Sequence, residues 1–169
     1  MRAALLFLLL AGTAAFSNNN KPAAQDGGST AEDGAALTPA AGSKACDVLA
    51  QADAEKALGR AVEKLDNQGG AAGQDICQYG YQGERLVDMG NVSVTVEPVD
   101  LASVIEGAKA QGYVLEPVEG VGDAAWYSAD VGLYVGKGQR TAHYLLGANG
   151  MSDPKTKLIA LARDTVGRL

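Results

Sequence analysis

The sequence predicts an exported α+β domain built on an antiparallel sheet of five to six strands, with the helices packed on one face. Three observations carry that expectation. The chain opens on an export signal, two cysteines fall inside one domain-length stretch, and the strand patterns come in runs instead of alternating with helices.

The signal comes first. Met1-Arg2 is a short positive region, followed by the unbroken apolar run 3–11 with Leu5, Leu6, Phe7, Leu8, Leu9 and Leu10. Small residues follow at Gly12 to Ala15, and polarity rises at Ser17-Asn18-Asn19-Asn20-Lys21. This is the three-part pattern of a secretory signal peptide, residues 1–17, with cleavage after Ser17 or after Ala15. The apolar run is too short to cross a hydrocarbon core of about 30 Å, so no transmembrane anchor is expected after cleavage. Leu9-Leu10-Ala11-Gly12 would suit the segment before a lipidated cysteine, but Thr13 follows and offers no thiol, so a lipid anchor is not expected. Residues 18–44 are rich in Ala, Gly, Asn, Ser, Asp and Pro, with Leu37 the one large aliphatic, and read as a flexible linker.

Residues 45–169 are enough for a single domain with one core. Without Arg2 the chain carries 13 basic and 20 acidic side chains, a net charge of −7, which disfavours nucleic acid and anionic lipid as partners. In an exported chain Cys46 and Cys77 are expected to pair as a disulfide, and closing that loop would stabilise the fold by about 3–4 kcal/mol.

Residues 46–58 read as helix, with Asp47 as N-cap and Gly59 as the stop; Asp53 offers a second cap if the helix breaks in two. Residues 61–65 read as a strand and 66–74 as a loop. Residues 76–81 form the next strand, with Cys77, Tyr79 and Tyr81 on one face. Residues 91–99 alternate Val92, Val94 and Val96 against Ser93, Thr95 and Glu97, the mark of a sheet with one wet face. A helix over 101–111 has Asp100 as N-cap and Gly112 beyond its end. Residues 113–117 read as extended and 124–128 as a strand, and 132–135 with 141–146 form a hairpin. Asp153-Pro154 opens a last helix that runs to about Val166 and buries Leu158, Ile159, Leu161 and Ala162. The order suggests an αβββ-αβββ-α duplication. At an offset of 53, Asp47, Lys56, Ala57, Gly59 and Glu63 match Asp100, Lys109, Ala110, Gly112 and Glu116.

A cysteine opening a helix that ends Ala57-Leu58-Gly59, a second cysteine in a following strand, and Gly120-Val121-Gly122-Asp123-Ala124-Ala125-Trp126 together resemble small exported bacterial lipoproteins of unknown function. The resemblance covers 45–169. It implies a bacterial envelope protein of α+β fold, with no established activity.

Residue chemistry argues against the common catalytic classes. His143 is the only histidine, and paired cysteines leave no His/Cys cluster for a transition metal. No EF-hand-like loop and no G-x-S-x-G elbow is present, so neither a metal nor another cofactor is expected. Gly120-Val121-Gly122-Asp123 is followed by a strand pattern, whereas a dinucleotide loop needs a helix N-terminus there. Gly120, Gly122 and Asp123 therefore read as a structural turn. The Asn91-Val92-Ser93 sequon opens a strand in a chain with bacterial resemblance and is discounted.

The aromatic residues remain. Tyr79, Tyr81, Tyr127, Tyr134 and Tyr144 all fall on strands and form a candidate binding surface for a protein, peptide or glycan if they line the sheet's open face. Core filling is the competing reading, and the preferred one for Trp126; cross-strand pairing would explain Tyr134 with Tyr144. The expectation is a non-enzymatic binding module of the bacterial cell envelope, periplasmic or extracellular, with a small secreted inhibitor of a hydrolase as the alternative.

Overall fold

The computed structural model describes residues 45–65, 74–85 and 88–169. The expected signal peptide, the linker and most of the 66–74 loop lie outside the described residues. The predicted first helix is two. α1 (Ala45–Val48) and α2 (Gln51–Leu58) are separated at Ala50, whose extended backbone (ψ 158°) interrupts the helical path. The Asp53 carboxylate accepts the Ala50 N–H at 3.1 Å, which is half of a capping box, since alanine has no acceptor to return. Asp47 is not the cap of α1. That role is filled from across the chain by Asp75, which accepts the Ala45 N–H at 2.9 Å.

Among the described residues seven strands follow, one more than the upper expectation: β1 (Glu63–Lys64), β2 (Asp75–Gln82), β3 (Met89–Glu97), β4 (Glu116–Val118), β5 (Ala124–Ser128), β6 (Gly132–Lys137) and β7 (Arg140–Ala148). The stretch read only as extended supplies the added strand, β4. All pairings are antiparallel, in the order β1-β2-β3-β7-β6-β5-β4. Two meanders thus meet at the central β3–β7 pair.

One face of this sheet is the core. Val92, Val94, Leu133, Val135, Ala142 and Tyr144 are fully buried there, against Val48 of α1, Leu49 just beyond it, and Leu158, Leu161 and Ala162 of α4 (Pro154–Thr165). Burying such aliphatic side chains is worth about 1.5–3 kcal/mol each before entropy is counted. Two buried hydroxyls close the seam between sheet and α4. Thr165 donates to the Leu161 carbonyl at 2.9 Å, so its single proton is used, and Tyr144 Oη donates to Thr165 at 2.9 Å. The disulfide Cys46–Cys77 joins α1 to β2 on the same face, with Cys77 completely buried.

The expectation that every helix packs on one face is corrected by α3 (Leu101–Ala110). It carries the chain from the central β3 to the far edge strand β4 and contacts β6 and β7. Gly136 alternates out of phase with the core residue Val135, and a Cβ there would lie 2.8 Å from the Cβ of Leu101. α3 therefore covers the second face, where a residue without a side chain lets the helix approach. Thr141, in phase with Gly136 across the hairpin, bonds the Val99 carbonyl at 2.8 Å and fixes the entry to α3. The ends of α3 follow local chemistry. Asp100 accepts the Ser103 N–H at 3.0 Å, and Gly112 (φ 90°) with Tyr113 returns two amides to Lys109 and Ala108, a Schellman ending.

Residues 53 apart do occupy related places at two points. Gly59 and Gly112 both have positive φ beyond a helix, and Glu63 and Glu116 both lie on edge strands. The helices concerned lie on opposite faces, however, and three strands follow the first against four after the second.

Replacing both Cys46 and Cys77 by alanine is expected to lower unfolding free energy by about 3–4 kcal/mol, from the 31-residue separation they close. Urea unfolding of the oxidised protein against the double variant measures it.

Candidate functional site

The aromatic set does not form one surface, which corrects that expectation for three residues. Tyr144, Tyr79 and Tyr127 are 0%, 7% and 8% exposed and belong to the core. The physical reason is phase. Tyr79 is in phase with Cys77 and Tyr144 with Ala142, so both rings face the side covered by α1, α2 and α4. Tyr81 is half-buried at the rim of that same face. Tyr134 points to the other face and stacks on His143, with ring centroids 4.3 Å apart and planes within 13°. Trp126, paired with Tyr134, lies 4.6 Å from Lys109 Nζ of α3, so its ring is used in holding that helix.

Gly120, Gly122 and Asp123 lie in the bend that leads into β5. Gly120 and Gly122 have φ of 71° and 60°. Asp123 accepts the Gly138 N–H at 2.7 Å and gives its own N–H to the Gly136 carbonyl at 2.9 Å, pinning the turn to the β6–β7 hairpin. His143 Nε2 donates to the Val131 carbonyl. Burial pushes its imidazole below the ordinary value, opposed by the Val131 carbonyl and the charge of Glu97. Among the described residues no group of three His, Cys, Asp or Glu side chains could hold a metal ion.

Among the described residues a large concavity lies elsewhere, at the end of the sheet where β2 turns into β3 and β7 finishes. Beside these strand ends stands the connection from α2 to β1, and between them opens a groove of about 1210 Å³. Its polar lining includes Gln51, Glu55, Gln82, Asn91 and Asn149. Gln51 ties the near wall together, donating to the Val62 carbonyl at 3.0 Å and to Glu55 at 3.2 Å. Arg60 reaches across the end of the sheet. Its guanidinium lies 4.1 Å from the Tyr81 ring centroid and 2.7 Å from an Asp88 carboxylate oxygen. Tyr81 and Asp88, in that order, hold Arg60 above its ordinary pKa.

Glycines shape this region. A Cβ on Gly90 would lie 2.7 Å from that of Ala148 and 2.8 Å from the Tyr81 ring, so Tyr81 lies across its bare cross-strand partner. Leu65 lies in the same way over Gly80. Gly147 is open, its nearest neighbour being Asn91 Oδ1 at 3.5 Å. The sequence contained a usable sign of this site that the aromatic reading passed over. A glycine inside a strand marks a bulge or a close approach of another group, and three of them end up together here. The polar lining itself comes from α2, the connection to β1, β1, β2, β3 and the end of β7, and no local pattern joins those positions.

Compared with protein-family models, curated proteins and solved structures, the chain matches none. Among the described residues no helix is long and apolar enough to cross a membrane.

Gly122→Ala is expected to cost about 2–4 kcal/mol, because the added Cβ would meet the Gly136 carbonyl oxygen at 2.5 Å in a left-handed backbone; thermal unfolding reads it directly. The imidazole of His143 gives a pH dependence of definite sign. Its native pKa is depressed, so as pH falls below about 6.5 the unfolded chain binds the proton first and stability declines until the native ring protonates. In His143→Gln, urea midpoints measured at pH 7.5, 6.0 and 5.0 should fall less steeply than in the wild type.

Proposed function

We propose that this chain is a non-enzymatic binding module of the bacterial cell envelope and that it binds through the groove at the β2–β3 end of the sheet. The groove carries the proposal. It is larger than the usual small-molecule cleft of about 300–1,000 Å³, is open to solvent, and is lined by carboxamides that both donate and accept hydrogen bonds. Such a lining suits recognition of a chain-like polar ligand. His143 and its stacked tyrosine are not among the residues lining it. An envelope location, periplasmic or extracellular, is supported by the Cys46–Cys77 disulfide, which persists in oxidising compartments, and by the export pattern of residues 1–17.

Gly147→Trp tests the assignment, because that position has room for a side chain and its filling closes the groove from the strand side. Wild-type and variant protein would be recovered from the producing cells and analysed by native mass spectrometry. A ligand or partner mass retained by the wild type should be reduced at least about tenfold in the variant, with thermal stability unchanged, as removal of a binding contact of about 1.4 kcal/mol or more requires. Equal retention by the two proteins would exclude the groove.

A further inference from the structure

Resting on that groove, we infer that its occupant is an extended peptide segment carrying positive charge. The charge balance of the walls is the first argument. Arg60 is engaged by Asp88 at 2.7 Å and lies on the Tyr81 ring, so its charge is already compensated within the protein. Glu55 and Glu63 line the same groove, and among the described residues neither carboxylate meets a cationic side chain; that of Glu55 accepts from the neutral amide of Gln51. The groove therefore presents uncompensated negative charge in a chain of net charge −6, which attracts cations at a distance and repels anions.

The second argument is that apolar as well as acidic groups line the groove. Leu65 and Met89 are 36% and 42% exposed and both line the groove. A lysine or arginine side chain needs this arrangement, since its aliphatic stem lies on apolar surface while its head group stays at a carboxylate. The third argument concerns backbone. Gly147 leaves the strand end bare, and Asn91 and Asn149 stand beside it with carboxamides able to pair peptide N–H and C=O groups. A sugar ring would want an open aromatic platform, whereas the Tyr81 ring packs over Gly90 and has Arg60 stacked on it.

The test uses ¹⁵N-labelled full-length protein titrated with an octapeptide of alternating lysine and serine, against one of alternating glutamate and serine and against chitotetraose. The Lys-Ser peptide should shift the amide signals of Gln82, Asn91 and Gly147, and its affinity should fall as NaCl rises from 50 to 500 mM. In E55Q/E63Q the affinity should drop about tenfold. In E106Q/E119Q, which removes the same charge from exposed positions outside the groove, it should change less than about twofold. Equal losses in the two double variants, or shifts spread over the acidic surface, would overturn the inference. Shifts at the groove from chitotetraose or the Glu-Ser peptide alone would also overturn it while leaving the groove as the binding site. No shift at the groove from any probe would remove both.

Discussion

The central antiparallel pair β3–β7 is buried on one face under α1, α2 and α4, and the other features of the domain depend on that cover. On one side Val92, Val94, Ala142 and Tyr144 are closed off by α1, α2 and α4; on the other, α3 lies over β6 and β7 because Gly136 has no side chain to hold it away. The first cover is fastened at both ends. The disulfide holds α1 to β2, and the Tyr144–Thr165 hydrogen bond, buried and satisfied, holds the end of α4 to β7. The strand ends near Gly80, Gly90 and Gly147 form the floor of the groove.

What was legible in the sequence was local. β5 runs from Ala124 to Ser128 as read, Asp100 and Gly112 end α3 as their chemistry dictates, and Asp153-Pro154 opens α4, with Asp153 accepting the Thr156 N–H at 3.1 Å. The alternation of Val92, Val94 and Val96 identifies the core face of β3 without any structure. The break between α1 and α2 was visible as an alternative, since Asp53 is a capping residue in the right place.

What was not legible depended on contacts across the chain. Periodicity places a helix's apolar stripe but does not say which sheet face it meets, so the face that α3 covers is set by tertiary packing alone. The tyrosines show the same limit. Alternation groups Tyr79 with Cys77, yet whether that group faces helices or water depends on where α1, α2 and α4 pack. The groove is the extreme case, because its walls come from α2, β1, β2, β3 and β7 and its ionic balance depends on Arg60 finding Asp88. Only the strand-interior glycines pointed to it, and they do so by what they lack.

The claim that the β2–β3 end of the sheet is the contact surface can be tested by placing a photoreactive benzoylphenylalanine at Gln82, in the groove, or at Val114, which is 81% exposed on the connection from α3 to β4. Illumination in the cells that make the protein should give discrete adducts from position 82 and none of the same mass from position 114. Adducts from position 114 alone, or identical adducts from both, would contradict the account.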